Sequence, residues 1–222
     1  MLINLSRFDF ALILTLYFQN LYYKNSFSLV LELLDCDIEN QSQLIALKGL
    51  IMKRVGLFFG STSGNTEIAT NFMKEYLEAS NIEVRLFDIS DYDINQMENF
   101  TNLIIGFPTW NIGDLQYDWD TVFNKYSEIV FENKIGAFFG CGDQQGYPYN
   151  FLDAIGILAE PFIQNGGELI GQCDRNLYKF DDSRALKEGK LMGLGLDYDN
   201  FDESECELLI MNWLDQIMNS FK

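Results

Sequence analysis

The chain has 222 residues, 15 basic and 33 acidic side chains, a net charge of -18 and no histidine. That charge repels nucleic acid and anionic lipid, and the missing imidazole excludes Ser-His-Asp and Cys-His catalysis and histidine-containing zinc sites. The four cysteines, Cys36, Cys141, Cys173 and Cys206, are widely spaced with no C-x-x-C pair, so they read as reduced, mostly buried thiols of a cytoplasmic protein.

In chain order, residues 11–18 form an apolar run that Gln19 and Asn20 cut short of a bilayer span. Asp9 just upstream and the lack of a small-residue cleavage site set it apart from a secretory signal. The composition changes at Met52, where Lys53 and Arg54 lead straight into an apolar strand. Residues 1–51 are therefore expected to lie outside the functional domain, as sequence upstream of the true start in the preferred reading, with a targeting leader and a docking extension as alternatives. Residues 52–222 are expected to hold the function, with 12 basic and 28 acidic side chains.

Within that part, Arg54–Phe59 reads as a buried strand ending at Gly60. Residues 66–79 carry apolar side chains at helical spacing, from Ile68 to Leu77. Strands are predicted over 82–87 and over 102–107, the latter ended by Pro108, with a helix over 117–129. A strand over 134–139 ends at Gly140, and a helix over 150–164 stops at Gly166-Gly167. Residues 168–171 and 191–196 are strand-like around a polar stretch. A closing helix spans 202–219, its acidic first turn matched to the helix dipole. Strands alternating with helices imply a doubly wound α/β fold with a parallel sheet covered on both faces. Ligands in such sheets bind beyond the carboxyl ends of the strands, which singles out three loops.

The first, Gly60-Ser-Thr-Ser-Gly-Asn-Thr66, joins a strand to a helix. Its small residues let backbone N–H groups curl inward beside a helix N-terminus, a site for one phosphate, with Ser61, Ser63 and Thr66 adding hydroxyls. Neither a Walker A lysine nor G-x-G-x-x-G is present, which argues for a monophosphate held by neutral donors. The second, Pro108-Thr-Trp-Asn-Ile-Gly113, offers Trp110 as a flat plate outside the sheet, with Gly113 allowing close approach. The third, Gly140-Cys-Gly-Asp-Gln-Gln-Gly-Tyr147, offers Tyr147 as a second plate and Asp143 as an acceptor for ring N–H groups. One phosphate cradle and two aromatic plates match a planar ring carrying one phosphate.

These loops, with Pro108–Gln116 and Gly142–Gly156 read in full, resemble the three flavin mononucleotide (FMN) loops of long-chain flavodoxins, and the resemblance covers residues 53–220. It implies a five-stranded parallel sheet of order 2-1-3-4-5, its last strand split by an insertion that residues 180–200 resemble. It further implies that Ser61, Thr62, Ser63, Gly64, Asn65 and Thr66 hold the phosphate and that Trp110 and Tyr147 sandwich the isoalloxazine. Backbone groups of Asn111, Gly113, Gly142, Asp143 and Gly146 would meet the ring edge, and the Asn111–Ile112 peptide would reorient with redox state. Pro108, Thr109, Cys141 and Asn150 complete the implied site. Cys141 stands where the family commonly has Thr, Gln145 replaces a usually apolar residue, and Asp174–Tyr178 departs from the family's Thr-Asp-Gly-Tyr pattern.

The resemblance implies a low-potential one-electron carrier rather than an enzyme, shuttling between basic reductases of the ferredoxin/flavodoxin-NADP type and acceptor enzymes, and monomeric. An acidic domain with aromatic walls disfavours the anionic, fully reduced ring. Two rivals remain open at this level. A flavodoxin-like NAD(P)H:quinone oxidoreductase would need room for nicotinamide over the ring. A receiver-type signalling domain would need an acidic pocket where Gly60-Ser-Thr stands.

Overall fold

The computed structural model of the protein describes residues 52–222. The apolar run at 11–18, Cys36 and the expected separation of residues 1–51 from the functional domain lie outside the described residues.

The described elements run β1 (Arg54–Phe59), α1 (Asn65–Ala79), β2 (Glu83–Asp88), β3 (Asn102–Trp110), β4 (Asp114–Leu115), α2 (Tyr117–Tyr126), β5 (Ile135–Cys141), α3 (Asp153–Gln164), β6 (Glu168–Ile170), β7 (Cys173–Asp174), β8 (Leu186–Lys187), β9 (Lys190–Leu191), β10 (Leu194–Leu196) and α4 (Glu203–Met218). The main sheet is parallel in the order β2-β1-β3-β5. Two short strands share the place beyond β5. β6 pairs with Ile135–Ala137 at its start, and β10 pairs with Phe139–Cys141 at its end. They are one fifth strand interrupted by an insertion, and β7, β8 and β9 form a small antiparallel sheet within it.

The strands alternate inward-facing side chains between two buried layers, as a sheet covered on both faces requires. Val55, Leu57, Phe59, Ile104, Ala137 and Phe139 pack under Met73 and Leu77 of α1 and Ile210, Trp213 and Leu214 of α4. Phe58, Leu103, Ile105, Phe107 and Phe138 pack against Trp119 and Tyr126 of α2 and Ile155, Leu158 and Phe162 of α3. Burying each such aliphatic or aromatic side chain contributes about 1.5–3 kcal/mol relative to exposure. The Asp202 carboxylate accepts from the Glu205 N–H and the Glu205 side chain accepts from the Asp202 N–H, a capping box that starts α4 where the acidic turn suggested.

Several boundaries differ from the sequence expectation, and α2, expected to run to residue 129, ends at Tyr126. Pro108 does not end β3, which continues through Trp110. Pairing with β1 stops at Gly106, so Pro108 faces β5 alone, where its missing N–H leaves no gap on the β1 side. Similarly, β5 runs through Gly140 to Cys141, because β10 and β3 still flank it there. The helix expected from residue 150 starts at Asp153, preceded by Leu152 in the left-handed region at φ 62°. The run 191–196 is divided: Leu191 belongs to the insertion sheet and Leu194–Leu196 to the main one. A single apolar run cannot reveal that division, because both halves are buried.

Candidate functional site

All three loops singled out by the sequence lie at the carboxyl ends of β1, β3 and β5. They surround a cleft of about 420 Å³ lined by Ser63, Asn65, Pro108, Thr109, Trp110, Asn111, Cys141, Gly142, Asp143 and Tyr147, together with Leu196, Tyr198 and Asp199. Ligand sites at this edge are the rule for open parallel sheets, and the flavodoxin-like strand order is itself a standard example of that rule.

The first loop leaves several of its donors poorly satisfied among the described residues. Gly64 takes φ 94° and places the start of α1 with no side-chain cap, so the first N–H groups of that helix point outward. The Ser61 Oγ is buried and has no hydrogen-bond partner among the described residues. Thr66, itself buried, donates only to the Cys141 Sγ at 3.6 Å, a weak acceptor. Buried polar groups are normally paired, so this cluster is built for an acceptor that protein atoms do not supply. None of the described residues lining the cleft is a lysine or arginine. The groups on offer to an anion here are hydroxyls, backbone N–H groups and the helix dipole.

The second loop hangs from β3 by a tight turn. Trp110 pairs with Asp114 across β3 and β4, with Asn111 at φ 48° and Gly113 at φ 92° between them. A side chain on Gly113 would collide with the buried Asp153 carboxylate below it, so this position requires glycine for both space and φ. Trp110 is 40% exposed and Ile112 76% exposed, so neither ring nor chain belongs to the core. The Thr109 Oγ1, like the Ser61 Oγ, is buried without a partner. Gln116 was not among the expected site residues, yet it ties the first two loops together. Its Nε2 donates to the Thr62 Oγ1 at 3.2 Å and its Oε1 accepts from the Trp119 N–H at 3.3 Å. A Cβ on Gly60 would strike both Gln116 and Trp119.

In the third loop Tyr147 is 50% exposed and faces the cleft. The Asp143 carboxylate is turned partly onto its own loop. Its Oδ1 accepts from the N–H groups of Gln145 and Gly146 at 2.9 and 2.8 Å and from the Asn200 Nδ2 at 2.9 Å. The Gly146 N–H foremost, then Asn200, hold this carboxyl below the usual carboxylate range. Cys141 is buried and free, and burial pushes its thiol up to about 12. Cys173 and Cys206 are likewise buried and free, as expected.

Not every expected residue reaches the cleft. Ser61, Thr62, Gly64, Thr66 and Gly146 sit in the surrounding loops without lining it. Ile112 stands in solvent, Gly113 is buried beneath the turn, and Asn150 donates to the Asp153 Oδ2 at 3.0 Å and lines a small neighbouring hollow with Thr109, Gly142 and Tyr147. Leu196, Tyr198 and Asp199 were missed. Leu196 ends β10 and Tyr198 and Asp199 follow it, and extending the strand-end rule to both halves of the split strand would have found them. Burial, then the charges of Asp143 and Asp197, hold the Asp199 carboxyl above its ordinary range. No helix of the described residues is long and apolar enough to cross a membrane.

Comparison with known proteins agrees with this geometry. The family model described as Flavodoxin matches residues 57–203. A flavodoxin of Nostoc sp. is 41% identical over 169 residues, covering 76% of this chain and 98% of the relative. A Synechocystis flavodoxin is 42% identical over 166 residues, covering 75% of this chain and 96% of the relative. Among solved structures, Fusobacterium nucleatum flavodoxin bound to flavin mononucleotide superposes with a TM-score of 0.73 at 26% identity, covering 77% of this chain and all of that one. The cleft at the carboxyl edge, the strand order and these relatives agree, and the chain belongs to the flavodoxin family.

Proposed function

We propose that this cleft binds FMN without covalent attachment and that the chain uses it as a low-potential carrier of single electrons. The observation that carries this reading is the pairing of unsatisfied donors with exposed rings. Ser61 and Thr109 hydroxyls lack partners and α1 lacks a cap, while Trp110 and Tyr147 stand open on the same cleft. That combination fits a planar ring with a single phosphate and leaves no role for a catalytic acid, base or nucleophile.

In this reading Ser61, Thr62, Ser63, Gly64, Asn65 and Thr66 hold the phosphate. Trp110 and Tyr147 flank the ring, which supplies the redox chemistry when bound. Backbone groups of Asn111, Gly142, Asp143 and Gly146 meet its edge, and Gly113, expected beside them, supports the turn from beneath. Asn111 and Gly113 already occupy the left-handed region, so the turn they bracket can change conformation at low steric cost. Asp143 and Asp199 on the wall and Asp197 behind it oppose added negative charge in the ring, which keeps the last electron at low potential. Residues 52–222 act as the functional unit, as a monomer.

Beside the cleft, Trp110, Leu115, Tyr117 and Phe123 line an apolar groove edged by Asp114 and Asp120, and none of the described residues lining it is basic. Basic redox partners, reductases of the ferredoxin/flavodoxin-NADP type and acceptor enzymes, dock on that acidic, apolar face, so electron transfer slows as salt rises. Buried free thiols support a cytoplasmic setting. The test is a visible absorption spectrum of the purified protein followed by a redox titration. The expected result is a flavin spectrum and two resolved one-electron steps. Colourless protein that takes up no FMN, or one two-electron step, overturns the reading.

A further inference from the structure

We propose that Asp197 and Asn200 are positioning residues that clamp the ring-binding loop from the far side of the split strand, and so set affinity for the flavin ring without acting on the phosphate. This rests on the FMN reading above.

Asp197 is fully buried at 0% exposure, and none of the described ion pairs includes it. A buried carboxylate without a cation must be satisfied by hydrogen-bond donors, and these donors come from the ring-binding loop and its clamp. The Gln144 N–H donates to the Asp197 Oδ2 at 3.0 Å, bridging 53 positions of sequence. The Asn200 N–H donates to Oδ1 at 3.2 Å, and the Asn200 Nδ2 lies 3.0 and 2.9 Å from the two oxygens. The same Nδ2 reaches the Asp143 Oδ1 at 2.9 Å. One neutral amide therefore bridges two carboxylates that would otherwise repel. Asp143 then gathers Gln145 and Gly146, the residues leading to Tyr147. Gln144 is also buried and its Oε1 accepts from the Lys179 N–H, so the insertion is tied to the same loop.

The phosphate loop takes no part in these contacts. Its one described tie to the third loop is the Thr66 to Cys141 hydrogen bond. Loss of the clamp should therefore loosen the ring subsite alone.

The experiment measures binding of FMN, of riboflavin, which lacks the phosphate, and of inorganic phosphate to the full chain and its variants. Asn200→Ala is expected to weaken FMN and riboflavin by the same factor, about tenfold, and to leave inorganic phosphate unchanged. Asn200→Asp, which sets a third carboxylate against two, is expected to weaken both flavins further. Ser61→Ala provides the reverse pattern, with FMN and phosphate weakened and riboflavin unchanged. Amide exchange at Gln145 and Gly146 should quicken in Asn200→Ala. If that variant does not fold, Asn200→Ser, which keeps one donor, carries the same test. Asn200→Ala binding riboflavin as the wild type does, or losing phosphate along with flavin, overturns the clamp while FMN binding by the wild type stands. A wild type that takes up neither flavin overturns the FMN reading and the clamp with it.

Discussion

The two ends of the sheet treat their polar groups in opposite ways. At the amino end the groups are paired within the protein. The buried Asn102 donates through Nδ2 to the carbonyls of Arg54 and Lys222 and accepts at Oδ1 from the Lys222 N–H, all at 2.9 Å. Lys53 donates to the Met218 carbonyl, and Lys134 to those of Glu98 and Phe100. At the carboxyl end, the Ser61 and Thr109 hydroxyls are buried without partners and two aromatic rings are exposed. Lys53 and Lys134 are thus engaged at the first end, whereas none of the described residues lining the cleft at the second is basic. One end is finished for stability and the other is left open for a ligand, which is how a marginally stable domain carries a site that costs stability.

That contrast can be broken experimentally, starting with the largest effect. Asn102→Ala strands three backbone partners and should destabilise the fold by about 2–3 kcal/mol, with FMN affinity per folded molecule unchanged. Chemical denaturation and flavin titration check the two halves. A matching loss of affinity would show that the ends are not independent. Trp110→Ala should do the reverse. It should weaken FMN about 10- to 100-fold, the range for losing one stacked aromatic plate, and leave apoprotein stability nearly untouched, because the ring lies outside the core. Ser61→Ala should weaken FMN about tenfold, and the apoprotein should unfold no more easily, since that hydroxyl has no partner to lose.

The smallest effect is in acid. Asp143 is held below the usual range, so its contribution to the third loop is present above the ordinary Asp value of about 3.9 and is lost as pH falls through its depressed value. Asp199 is shifted the other way, so its proton uptake, at higher pH, relieves repulsion and does not weaken the wall. FMN affinity should therefore fall only below about pH 4, as flavin titration at a series of pH values would read. Asp143→Asn should remove that acid limb.

Several features were legible because they are written in neighbouring residues. The phosphate loop shows in consecutive small and hydroxyl residues, Ser61 to Thr66, set between a strand and a helical period. Trp110 stood out because a core tryptophan is not expected after Pro-Thr in a loop, whereas Trp119, at helical spacing on α2, proved fully buried. Features depending on distant partners were hidden. Pro108 looked like a strand end because local pattern does not show that β1 has already stopped. Gln116 looked like an ordinary polar residue before a helix until Thr62 was seen across from it.

By itself the sequence determined the alternation of strands and helices and the chain order of three ligand-facing loops. It also determined the absence of histidine chemistry and, through the resemblance those loops carry, the family and its cofactor. These rest on composition and short-range periodicity, which dihedral preference and side-chain alternation impose locally. Only the tertiary structure decided which half of the split strand reaches the cleft and which hydroxyls lack partners. It alone shows that Asp197 and Asn200 brace a loop 53 to 57 positions away. The physical reason is that burial and hydrogen-bond satisfaction belong to the folded chain as a whole. The three loops seen in the sequence thus supply most of the lining of the cleft, and the segment after β10 is hydrogen-bonded to one of them.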